Sequence, residues 1–198
     1  MTNKSREACD ILILGGDVID GTGIQRKKAD IAIKNDLICE IGDLGYMEAP
    51  TIIDASSLIV SPGFIDVHTH DDNLLFRDPG MTSKTSQGVT TVIVGNCGIS
   101  LAPLVLKNTP PPPPLDLLGN STDFRFESFA DYLQALDANP PATNAAFLVG
   151  HSTLRLGVME NVNIPANNIE IENMKILLEE AMNAGATGFS TGLIYGPN

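Results

Sequence analysis

The sequence predicts an α/β protein in which a small β-sheet is followed by parallel strands alternating with helices. Three observations predict it. Short β-branched runs broken by turn residues fill residues 10–60, strand candidates after Ser61-Pro62 become nearly continuous apolar runs, and helical stripes lie between those runs. Such alternation implies right-handed crossovers and either a doubly wound sheet or a β/α barrel. No GxGxxG or GxxxxGKS/T follows a strand, which weakens a nucleotide-binding version. A complete barrel takes about 250 residues, and only four strand units fit after residue 62, so the barrel option reduces to half a barrel.

In the early part, DILILGG, DVIDGTG, DIAIKNDLICEIG and TIIDASSLIV read as strands. Residues 30–34 and 37–41 flank Asn35-Asp36, a polar pair suited to a two-residue hairpin turn without the usual glycine. In the later part, residues 63–68, 89–95, 145–150 and 187–191 are the strands, with the apolar character of a parallel sheet covered on both faces. The spacing predicts a helix over 127–136 burying Phe129, Tyr132, Leu133 and Leu136. A second, over 169–184, is expected to bury Ile171, Met174, Leu178 and Met182 and to end at Gly185. The stretch 101–122 contains five consecutive prolines, Pro110 to Pro114, and is expected to be a loop bridging two elements. Residues 161–168, rich in asparagine, read as a turn-rich connection.

Composition narrows the function classes. Hydrophobic residues make up 43% of the 198, yet no apolar run approaches the membrane-spanning length of about 18 to 20 residues. Lys4 and Arg6 precede an apolar stretch of only 11–14, too short for a signal-peptide core, so a cytoplasmic location is expected. A net charge of −12 repels phosphate backbones and excludes nucleic acid as an ordinary partner. Three widely spaced cysteines do not form a secreted disulfide framework; Cys9 and Cys39 are expected to be structural.

The chemistry concentrates at strand ends. In Asp66-Val67-His68-Thr69-His70, alternation along an extended strand sends both imidazoles to one side, where they can ligate one ion. An isolated HxH also fits two polar loop histidines, but the C-terminal end of a β/α strand favours a metal pair, with Asp66, Asp71 and Asp72 orienting the rings. Cys97, in Gly95-Asn96-Cys97-Gly98 after the next strand, reads as a small hydrophobe in isolation; beside His68 and His70 it becomes a thiolate ligand for zinc. The flanking glycines leave room for close backbone approach. His151, after the third strand, is either on the same rim as a ligand or a partner for a neighbouring loop.

GGDVIDGTG, SPGFIDVHTHDD, GVTTVIVGNCGISLAPL, PPPPPLDLLG, LVGHSTLR and GATGFSTGLIYGP together resemble the N-acyl-D-amino-acid deacylases of the amidohydrolase superfamily, over residues 10–198. The resemblance implies a β/α barrel whose first four units are residues 62–198, and a small β-sandwich domain begun by residues 1–61. It implies zinc bound by Cys97, a second and weaker metal position at His68 and His70, and Tyr195 lining the substrate pocket. The implied reaction is hydrolysis of a small N-acyl-D-amino acid to a carboxylate and a D-amino acid. The general base and acid, an aspartate, two further histidine ligands and a substrate-gripping arginine are expected beyond residue 198, so the chain alone is expected to be inactive. Two alternatives stand beside it. A cyclic amidohydrolase of the dihydropyrimidinase or dihydroorotase type shares the histidine pair, but its carbamylated lysine has no counterpart in residues 187–195. A non-catalytic fragment, or one piece of a split enzyme, would expose open barrel edges and self-associate.

Overall fold

A computed structural model of the chain describes residues 8–107 and 109–194. The backbone divides into two compact units, residues 1–62 and 63–198.

The first unit is one sheet. Its strands are β1 (Ile11–Val18), β2 (Lys27–Lys34), β3 (Leu37–Gly42), β4 (Thr51–Asp54) and β5 (Ile59–Val60). The order is β3-β2-β1-β4, with β5 continuing beside the far end of β1. Asn35 and Asp36 both take positive φ, 49° and 62°, and close the β2–β3 hairpin as the polar pair implied. DILILGG and the start of DVIDGTG are a single strand rather than two. The register slips between Ile13 and Gly16, and Gly15 (φ +71°) donates its N–H to Asp30 Oδ1 at 2.7 Å, so the chain passes the glycine pair as a bulge. Cys9, Leu12, Ala32, Leu44 and Met47 form a small core, whereas Leu37, Ile38, Ile52 and Ile59 are mostly exposed. Cys9 is buried as expected; Cys39 is exposed, because it lies on the outer strand β3.

The second unit carries β6 (Phe64–Asp66), α1 (Leu74–Arg77), α2 (Thr82–Thr85), β7 (Val89–Val94), β8 (Leu104–Val105) and β9 (Arg125–Phe126). It continues through α3 (Phe129–Ala138), β10 (Asn144–Gly150), α4 (His151–Val158), α5 (Asn168–Ala184) and β11 (Gly188–Ser190). The strands β6, β7, β10 and β11 pair in parallel in the order β11-β10-β7-β6. This curled sheet is the first half of a (β/α)8 barrel. All four C-terminal strand ends therefore fall on one rim.

Val92, Val94 and Val149 send their side chains into the main core, against Leu75, Ile99, Leu101, Leu115, Phe124 and Leu154. An edge-to-face group of Phe126, Phe129, Tyr132 and Phe147 seats α3 on that core. The sheet is not covered on both faces throughout: Phe64 and Ile65 on β6 are 61% and 60% exposed, since β6 is an outer strand.

Helix α3 follows its predicted face and is capped by Ser128, whose hydroxyl accepts from Asp131 N. Helix α5 turns inward a face shifted from the expected one, keeping Met174 and Leu178. Met174 and Ala181 are its buried residues, with Leu177 and Leu178 packing on the core, while Ile171 and Met182 are exposed. The inward arc is shorter than the apolar arc, so periodicity alone misplaced its centre. The proline-containing stretch is not wholly irregular, for β8 pairs with β9 and short 3-10 turns stand at Leu115–Leu117 and Ser121–Asp123. Among the described residues, no helix is long and apolar enough to cross a membrane.

Candidate metal centre

Three donors meet on the rim. The ligand atoms of His68, His70 and Cys97 all lie within 4.8 Å of one another, and His68 Nε2 stands 3.0 Å from Cys97 Sγ. The two imidazoles are edge to face, with centroids 5.8 Å apart. Tyr195 lies outside the described residues.

The route to this convergence differs from simple strand alternation. β6 ends at Asp66, so His68 and His70 sit on the loop beyond it. That loop is held by specific hydrogen bonds: His68 N donates to Asp66 Oδ1 and Thr69 N donates to Ile93 O, each at 3.3 Å. Asn96 Nδ2 donates to Thr69 O and Ile93 O, stitching the histidine loop to the cysteine loop. Cys97 itself takes φ +55°, a left-handed conformation uncommon for a residue with a side chain. Ser190 at the end of β11 fixes this bend, for its hydroxyl accepts from Gly98 N at 3.0 Å and donates to Gly95 O. A side chain at Gly95 would collide with the Leu148 carbonyl, which is the close approach the flanking glycines implied.

The three acids are turned to partners other than the imidazole nitrogens. Asp66 and Asp71 face Lys84, whose Nζ is 2.7 Å from Asp66 Oδ2 and 2.9 Å from Asp71 Oδ2. The Lys84 hydrogen bond holds the Asp66 carboxyl below the usual range. Asp72 is buried and accepts from Gly95 N at 3.3 Å; burial pushes its carboxyl up to about 7. Lys84 was invisible to sequence reasoning, because its partners are 18 and 13 residues away and joined only by the turn at α2.

His151 follows β10 directly, as the first residue of α4. Its ring packs edge to face on Phe189 at 5.8 Å, and it is not one of the clustered donors. Partial burial, then the nearby Arg155 charge, lowers its pKa.

The donor set fits a metal. Zinc accepts imidazole nitrogen and thiolate sulfur at roughly 2.0 to 2.3 Å, which places tetrahedral neighbours about 3.5 Å apart, within reach of donors that lie no more than 4.8 Å from one another. His70 Nδ1 is buried without a hydrogen-bond partner, and burial followed by the neighbouring His68 lowers the His70 pKa, favouring the neutral, ligating imidazole.

A family model described as "Amidohydrolase family" matches residues 51–196. The chain is 53% identical over 197 residues to D-aminoacylase of Alcaligenes xylosoxydans xylosoxydans, covering all of this chain and 40% of that protein. A crystal structure of D-aminoacylase superposes with a TM-score of 0.92 at 52% identity, covering 96% of this chain and 40% of the other. N-acyl-D-glutamate deacylase from Bordetella bronchiseptica, complexed with zinc and a phosphonate mimic of the tetrahedral intermediate, superposes at 0.90 with 47% identity over 96% of this chain and 40% of its own. The chain thus spans about 40% of the length of the relatives it matches.

Proposed function

This chain belongs to the amidohydrolase family, and we propose that it forms the first part of a zinc-dependent deacylase of N-acyl-D-amino acids. The activity is assigned to a protein of the relatives' length, of which these residues match 40%. In this reading the sheet of residues 1–62 begins a small β-sandwich, and residues 63–198 supply the opening units of the barrel.

The observation that carries the reading is the convergence of His68, His70 and Cys97 at the C-terminal rim of a parallel sheet. Bound zinc supplies Lewis-acid polarisation of a carbonyl oxygen. The chain's own contribution is to present two imidazole nitrogens and a sulfur, a soft and nitrogen-rich set that favours zinc over magnesium or calcium. The positive-φ bend at Cys97, braced by Ser190, aims the sulfur at His68. Asn96 locks the two ligand loops in register, so the donors are arranged before metal arrives.

Zinc content by mass spectrometry, in the wild type and in Cys97→Ala, tests this. Stoichiometric zinc in the wild type that falls to a small fraction in Cys97→Ala is expected; undiminished zinc in the variant removes Cys97 from the site. Hydrolysis is measured with N-acetyl-D-amino acids against their L-enantiomers, and indifference to chirality would refute the substrate class.

A further inference from the structure

Both ends of the His68-Thr69-His70 tripeptide are tied to one cation. Lys84 Nζ contacts Asp66 Oδ2 at 2.7 Å before the tripeptide, Asp71 Oδ2 at 2.9 Å after it, and Thr69 Oγ1 at 3.4 Å within it. The lysine is not on a wandering surface arm. Its side chain is 20% exposed, those of Asp66 and Asp71 are 31% and 17%, and α2 is anchored by the fully buried Met81 that precedes it. An ion pair so shielded is screened less than an ordinary surface pair.

We propose that Lys84 is a positioning residue for the metal centre, clamping the HTH loop through Asp66, Thr69 and Asp71 and keeping both carboxylates out of the ligand set. The proposal rests on the metal-binding reading of His68, His70 and Cys97. Without the ammonium, Asp66 and Asp71 are two uncompensated carboxylates flanking the donors. They then repel one another, release the loop and compete for the ion as oxygen ligands. The geometry that presents nitrogen and sulfur alone is lost with them.

The sign of the effect separates this role from simple electrostatics. Removing a positive charge beside a divalent cation tightens binding by Coulomb's law; removing a clamp weakens it. Zinc affinity of the full chain is measured by competition with a chromophoric chelator in the wild type, Lys84→Met and Lys84→Arg. Cobalt substitution reads the same site through the thiolate-to-metal absorption of Cys97. A loss of about 10-fold or more is expected for Lys84→Met, in line with removal of groups that orient metal ligands. Its cobalt spectrum changes, and Lys84→Arg recovers most of both. Unchanged or tighter zinc binding by Lys84→Met overturns the proposal while leaving the metal reading intact. A wild type that takes up no stoichiometric zinc overturns both. A cooperative melt of the metal-free variant establishes that it is folded; where Lys84→Met does not melt cooperatively, Lys84→Gln, which likewise removes the positive charge, is read under the same criteria.

Discussion

At the scale of the residue, each side chain on the rim is set by what surrounds it more than by its own propensity. His151 shows this in its titration. Partial burial, then the Arg155 charge, depresses its folded pKa below the ordinary 6.5, and its Nδ1 has no hydrogen-bond partner. A base with a depressed folded pKa contributes stability that is fully present above the unfolded value and is lost as pH falls through the folded one. Between pH 7.5 and pH 5.5 the melting temperature of the wild type should therefore lose more, or gain less, than that of His151→Gln, because Asp72, its carboxyl pushed up to about 7 by burial, shifts both proteins in the opposite sense over the same range; identical slopes in the two proteins would show that His151 contributes nothing. The three donors were legible in the sequence as residue types at strand ends. What was not legible is how they meet. Alternation along a strand suggested His68 and His70, but β6 stops at Asp66, and the loop is shaped by Asn96, Lys84 and backbone contacts whose spacing carries no local signal.

Elements reproduce the local code where the code is strong. Ser128 and Asp131 form a reciprocal cap at the start of α3, and Asn167 with Glu170 does the same for α5. Ser128→Ala should lower stability by about 1 kcal/mol, read as a shifted denaturation midpoint with unchanged slope; no shift would mean that packing of Tyr132 and Leu136 alone holds the helix. The Asn35-Asp36 hairpin and the parallel strands were likewise readable, because turn chemistry and apolar runs are local. Two elements were not. The buried arc of α5 centres on Met174 and Ala181 because α3 and α4 define the groove it fills, and strands β8 and β9 exist only by pairing across the proline stretch.

At the scale of the whole molecule, the parallel sheet is unevenly covered. Phe64, Ile65 and Val67, on and just beyond the outer strand β6, are 60% to 63% exposed, and an apolar outer strand is a template for pairing with a second copy. For a polypeptide of residues 1–198 by itself, light scattering should show an average mass that rises with concentration, and much less so for Ile65→Lys, since an edge lysine opposes such pairing; equal masses would exclude β6 as the contact. Four parallel strand units were countable in the sequence, whereas the choice between barrel and doubly wound sheet was not legible there, because closure is a property of curvature; the barrel was implied by the family resemblance. One bond gives the centre a history as well as a shape. Ser190, which braces the Cys97 bend, lies 92 residues downstream of Gly98, so at ordinary rates of protein synthesis it is made on the order of 5 to 20 s later. During that interval a nascent chain on the ribosome carries an unbraced thiol, open to oxidants or to the wrong ion. Alkylation of Cys97 should accordingly be faster in chains stalled before residue 190 than in released ones.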